Sequence, residues 1–121
     1  MSARPGKAKT QAQERRQRRF PRFRTNFPVG VTLLAGTQYR SLEAHCKDLS
    51  AAGIGLLVAT ELNSGEVASL SFSLPGTRES LELRAVLRHR RGYHYGFEFL
   101  SLTSHQNKLI AQHLTGLDRA D

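Results

Sequence analysis

The sequence predicts an all-β fold: a six-stranded antiparallel β-barrel with a C-terminal α-helix and a flexible basic N-terminal arm. Three observations lead there. Apolar and polar residues alternate at period two in one segment after another from about residue 29 to residue 99. Turn-forming residues separate those segments at short intervals. Beyond residue 102 the period lengthens to that of a helix. With 121 residues, 39% of them hydrophobic, the chain has material for one core and one domain.

Taken in order, residues 1–17 (MSARPGKAKTQAQERRQ) hold no aromatic or branched apolar residue and read as a disordered basic tail. The folded domain is expected over residues 18–117. Phe20, Pro21, Phe23, Phe27 and Pro28 mark where the arm meets the body. Val29, Val31 and Leu33 then alternate with smaller or polar neighbours, as do Leu42, Ala44 and Cys46. A turn is expected over residues 48–53, followed by Ile54, Leu56 and Val58 on one face. The clearest strand is at 68–74, where Ala68, Leu70, Phe72 and Leu74 oppose Ser69, Ser71 and Ser73. Pro75 and Gly76 close it as a turn.

Leu81, Leu83, Ala85 and Leu87 give the next inner face, with Glu82, Arg84, Arg88 and Arg90 mostly outside. Gly92 turns the chain, and Tyr93, Tyr95, Phe97 and Phe99 give the last inner face. An antiparallel sandwich would fit the same six strands, but closure into a barrel leaves no exposed edge and is preferred. Thr103 and Gln106 have the spacing of a capping box. Leu109, Ile110, His113, Leu114 and Leu117 then recur at helical spacing, and Gly116 stands where a C-cap is expected. This helix is expected to plug one end of the barrel.

The net charge of +8 is concentrated at one end. Residues 1–24 hold nine basic side chains and one acid, Glu14, whereas the remaining residues hold nine of each. A neutral body with a cationic arm is expected to meet anions with the arm, alone or against a nearby surface. No apolar run reaches the ~18–20 residues of a membrane span. The basic N-terminus lacks the apolar stretch of a secretory signal, and Cys46 is single, so a reducing cytoplasmic location is expected.

Two short patterns carry the chemistry. Asp48-x-Ser50-x-x-Gly53 suits a hairpin turn, with Asp and Ser capping backbone N–H groups and Gly taking positive φ. Taken alone it reads first as that turn; it also suits a base-reading loop, in which Ser50 contributes a hydroxyl and Gly53 lets the backbone come close. Guanine presents N1–H and N2–H2 side by side, a donor pair that one carboxylate accepts. The second pattern, Arg18-x-x-x-Arg22, would be a solvated basic tail were it not interleaved with Phe20, Pro21 and Phe23. An arginine anchored there offers a fork to phosphate and a flat face to a purine, where lysine offers only charge.

In this order the two patterns resemble the PilZ family of bacterial cyclic di-GMP receptors, whose signature is R-x-x-x-R followed by D/N-x-S-x-x-G. The stretch YGFEFLSL (residues 95–102) before a helix is similar to the family's closing strand and helix. The resemblance covers about residues 15–115. It implies a six-stranded barrel that binds the second messenger without catalysis or metal and alters a surface read by a downstream effector protein. By matching position, Arg18 and Arg22 would contact phosphates and guanine faces, and Asp48, Ser50 and Gly53 would line the guanine site. Gln17 stands where many family members carry arginine; Arg15, Arg16 and Arg19 are placed to compensate. Arg15-x-x-x-Arg19 is a second register of the motif, and Arg18/Arg22 is preferred because Pro21 and the phenylalanines surround that pair.

Other chemistries have less behind them. His45, Cys46, His89, His94, His105 and His113 show no compact zinc-site spacing. His89 and His94 flank one hairpin and are read as structural or surface residues. Cys46 falls on an inward position and reads as a core thiol. Ser50 has no evident His and acid partners, and no nucleophile elbow occurs. A nucleic-acid-binding barrel with a basic tail is the rival class, but no aromatic-rich RNA-binding strand appears and the body's charge is balanced. A family member that no longer binds the nucleotide is the third alternative.

Overall fold

The computed structural model describes residues 20–35 and 37–120, apart from the side chains of residues 34 and 35. Six strands and one helix follow in order: β1 (Phe23–Ala35), β2 (Gln38–Leu49), β3 (Gly53–Leu57), β4 (Val67–Ser73), β5 (Ser80–Arg91), β6 (His94–Ser101) and α1 (Ser104–Leu114). All neighbouring strands are antiparallel, and the order β1-β2-β3-β6-β5-β4 closes into a barrel through the pairing of β1 with β4. No described helix is long and apolar enough to cross a membrane.

The period-two pattern becomes the barrel interior. Val29, Val31 and Leu33 of β1, Cys46 of β2, Leu70 of β4 and Leu87 of β5 are all essentially inaccessible. Their register explains why: Val31 stands opposite Leu42 on one side and Leu70 on the other. Burial pushes the Cys46 thiol far above its usual range, which makes it a core group rather than a nucleophile.

The turns follow the sequence at several points. Pro75 and Gly76 form a β-turn in which the Thr77 N–H donates to the Leu74 carbonyl at 3.1 Å, and Gly76 takes φ +87°. The capping box is complete: the Gln106 N–H donates to Thr103 Oγ1, and the Thr103 N–H donates to Gln106 Oε1. Ile110 and Leu114 of α1 enter the barrel's core cluster, with Leu109 and Leu117 packed against it.

Two details differ from the sequence reading. Tyr93, expected to face inward, lies in the two-residue turn between β5 and β6 and is 64% exposed. Alternation with Tyr95 continues through a turn that needs Gly92 at φ +63°, so the aromatic spacing alone misplaced it. β1 also begins upstream of Pro28, at Phe23, with an irregularity between Arg24 and Phe27. Pro28 is tolerated because the ladder to β4 spans only Gly30 to Leu33.

Tyr95 shows how the core tolerates a polar group. Its ring is fully buried, while its hydroxyl donates to the Thr60 carbonyl at 3.2 Å and accepts from the Leu62 N–H at 3.1 Å. Tyr95→Phe leaves both backbone groups without that partner. It is expected to cost about 1–3 kcal/mol in chemical denaturation with the slope unchanged.

Candidate functional site

The site is built where four strands lie side by side. Cα pairing carries a row across the outer face of the barrel, from Asp48 on β2 to Gly55 on β3, Gly96 on β6 and His89 on β5. The two middle positions have no side chain. A Cβ at Gly55 would lie 2.6 Å from one Asp48 carboxylate oxygen and 2.7 Å from the other, and one at Gly96 would meet the His89 ring at 2.3 Å. The flanking side chains therefore lie down on bare backbone between them.

Arg22 reaches across this row. Its Nη1 is 4.0 Å from Asp48 Oδ1, and its Nη2 donates towards His89 Nε2 at 3.4 Å. The other Asp48 oxygen, Oδ2, is 3.1 Å from His94 Nε2. Asp48 itself is mostly covered, with 14% of its side chain accessible.

The chain's own C-terminal segment fixes the backbone of Arg22. The Ala120 N–H donates to the Arg22 carbonyl, and the Arg24 N–H donates to the Asp118 carbonyl, both at 2.8 Å. Phe23 pairs with Arg119 between them. The sequence places the anchor of Arg22 in its Pro and Phe neighbours; the backbone of residues 118–120 is the part that it missed.

The turn after β2 assigns separate jobs to the motif residues. Ser50, not Asp48, caps it: Ser50 Oγ accepts from the N–H groups of Ala52 and Gly53, at 3.1 and 3.0 Å. The Ser50 N–H donates to the Gly53 carbonyl at 2.9 Å. Asp48 belongs to β2 and is free of turn capping. Gly53 is not among the positive-φ glycines. It is required by close approach, since a Cβ there would lie 2.4 Å from the Phe97 carbonyl oxygen.

Next to this cluster is an open cavity of about 450 Å³, lined in part by Phe20, Arg22, Ser50, Gly53, His89 and Gly96. Arg88 also lines it, and its Nε donates to Glu98 at 2.7 Å. A second, larger groove of about 800 Å³ runs between Pro28, Ala44, Leu57 and Tyr93. It is lined by Glu43 and no arginine, which makes it the poorer surface for a dianion.

Of the residues singled out from sequence, Arg22, Asp48, Ser50 and Gly53 meet on one face. Arg18, Arg19 and Gln17 lie outside the described residues. His94 and His89 were read as structural or surface histidines, yet both touch the site. Only strand register brings them there, helped by an irregularity between Leu87 and His89. Among the described residues no group of three or more His, Cys, Asp or Glu side chains is placed to hold a metal ion.

The family model described as "PilZ domain" matches residues 16–116. No curated protein sequence matches the chain. Among solved structures, the Bacillus subtilis inhibitor of motility MotI/DgrA is similar at TM-score 0.67 and 19% identity; the match covers 81% of this chain and 49% of that one. The chain thus spans about half the length of that protein. The PilZ domain with c-di-GMP of YcgR from Escherichia coli is similar at TM-score 0.64 and 20% identity, covering 84% of this chain and 91% of that one. The PilZ domain of CeSA from a cellulose-synthesizing bacterium gives TM-score 0.59 and 20% identity, covering 78% and 95%. At these identities the likeness is one of fold.

The close approach at Gly53 is testable by itself. Gly53→Ala has to push against a strand carbonyl rather than a flexible side chain. It is expected to destabilise the protein by about 1–3 kcal/mol, read as a lowered thermal midpoint.

Proposed function

The chain belongs to the PilZ domain family, and on that premise we propose that it is a non-catalytic, cytoplasmic regulatory receptor for cyclic di-GMP. The arginine arm closes over the ligand on the outer face of β2, β3 and β6. The ordered arm then presents a changed surface to a downstream protein. The observation that carries this reading is the approach of Arg22 to Asp48 beside an open cavity. A cation for phosphate and a carboxylate for a guanine edge then stand side by side next to one cavity. The choice of ligand is supported by the PilZ domain of YcgR, whose structure is described as being with c-di-GMP.

Cyclic di-GMP carries two phosphates and two guanines. Asp48 accepts from N1–H and N2–H2 of one guanine, and Gly53 keeps the backbone low beside it. Arg22, with Arg18 from the preceding arm, forks onto phosphate and lies against a purine face. Gln17 and Arg19 are available to add contacts. Ser50 contributes mainly through the turn that its hydroxyl holds in shape. Ordering the arm costs conformational entropy, so tight binding requires several arginines to engage together.

Calorimetric titration with cyclic di-GMP tests this. Saturable binding is expected, weakened roughly ten- to a hundredfold by Arg22→Ala, the size of one lost hydrogen bond to a charged group. Arg4→Ala in the distal tail should cost severalfold at most, and added salt should erase that smaller effect first. Asp48→Asn should keep a near-normal thermal midpoint, because Ser50 holds the turn, yet bind clearly more weakly. Equal, fully salt-sensitive losses for Arg4→Ala and Arg22→Ala would mean diffuse attraction and no specific site.

A further inference from the structure

We propose that His94 is a positioning residue: it holds the Asp48 carboxylate in the orientation that reads a guanine edge, and Gly55 makes the arrangement possible. The proposal rests on the assignment of Asp48 as the base-reading group.

A carboxylate on the outer face of a strand ordinarily turns freely about its side-chain torsions. At Asp48 two features remove that freedom. The partner directly across the ladder is Gly55, so the carboxylate lies against backbone instead of standing off a side chain. The imidazole of His94 arrives from β6 and puts Nε2 3.1 Å from Oδ2. It comes diagonally, because Leu57 pairs with His94 and Gly55 with Gly96. A Cβ at position 55 would come within 2.7 Å of that same Nε2, so one missing side chain makes room for both partners.

The two carboxylate oxygens are therefore held unequally. Oδ2 is tied to the imidazole, whereas Oδ1 faces Arg22 at 4.0 Å, beyond hydrogen-bond distance. One end fixes the plane of the group, while the other makes no hydrogen bond to Arg22 and keeps its acceptor positions. Each oxygen has two acceptor positions, so Oδ2 accepts from His94 and still offers a lone pair to a ligand. A guanine edge presents two donors side by side and gains both bonds only if the carboxylate plane is already aligned with them. An unheld carboxylate makes one bond as readily but loses the second to misalignment.

Base discrimination tests the positioning role, because a purely structural histidine would not move it. Cyclic di-GMP is compared with cyclic di-IMP, whose hypoxanthine lacks the 2-amino group and presents one donor on that edge. Wild-type protein is expected to favour the guanine ligand by about tenfold or more, the size of one charge-assisted hydrogen bond. His94→Leu keeps bulk without a donor. It should weaken cyclic di-GMP binding about five- to tenfold, leave cyclic di-IMP nearly unchanged and so collapse the preference. His94→Gln puts an amide N–H near the position of Nε2 and should restore most of the preference.

Gly55→Ala displaces only the ends of two flexible side chains, so the fold should survive while the preference falls as in His94→Leu. Thermal unfolding of each variant checks that it is folded. An unchanged preference in folded His94→Leu, or equal losses for both ligands, would overturn the proposal, as would failure of His94→Gln to rescue. Asp48→Asn separates the two levels of argument. If it leaves cyclic di-GMP binding intact, the assignment of Asp48 is wrong. If it removes the preference while His94→Leu keeps it, only the positioning role of His94 is overturned.

Discussion

A Cβ at position 55 would stand 2.6 Å from the Asp48 carboxylate, and one at position 96 would stand 2.3 Å from the His89 ring. This shortage of space on the outer faces of β3 and β6 organises the whole site. Because both positions are bare backbone, a carboxylate and two imidazoles settle onto the sheet, and Arg22 closes over them. Gly53 extends the same requirement to the Phe97 carbonyl. The barrel's outer wall is thinned along one strip, and the charged groups are collected there.

The position of Arg22 depends on two distant parts of the chain. Phe23 packs against the core from one end of β1, and residues 118–120 pair with the backbone on either side of it. An arginine on a free tail would contribute mostly screened, long-range attraction. Fixed at its backbone, it needs to order only its side chain to make a fork.

The fold was legible in the sequence because the interior of a closed barrel is filled almost entirely by apolar side chains, which forces period two. Ala68, Leu70, Phe72 and Leu74 against three serines state that rule plainly. Tyr93 misleads because alternation has no marker for the residue at which a strand stops and a turn begins. Asp48, Ser50, Gly53 and Arg22 were legible as site candidates through their spacing. His89 and His94 were not, because register between strands brings them in and no local pattern encodes it. The pinning of Arg22 by residues 118–120 was illegible for a related reason: backbone hydrogen bonds leave no side-chain signature. The turn reading of Gly53 expected positive φ and the ligand reading a close backbone approach; the backbone that comes close is the Phe97 carbonyl, and φ is not positive.

If cyclic di-GMP binds as proposed, one face, centred on Asp48 and the Gly55–Gly96 strip, takes the nucleotide. Amide chemical-shift mapping with cyclic di-GMP locates that face. Saturable shifts are expected at Arg22, Asp48, Gly53, Gly55, His94 and Gly96, with the groove between Ala44 and Leu57 unchanged. Shifts confined to that groove, or spread evenly over all arginines without saturation, would contradict it.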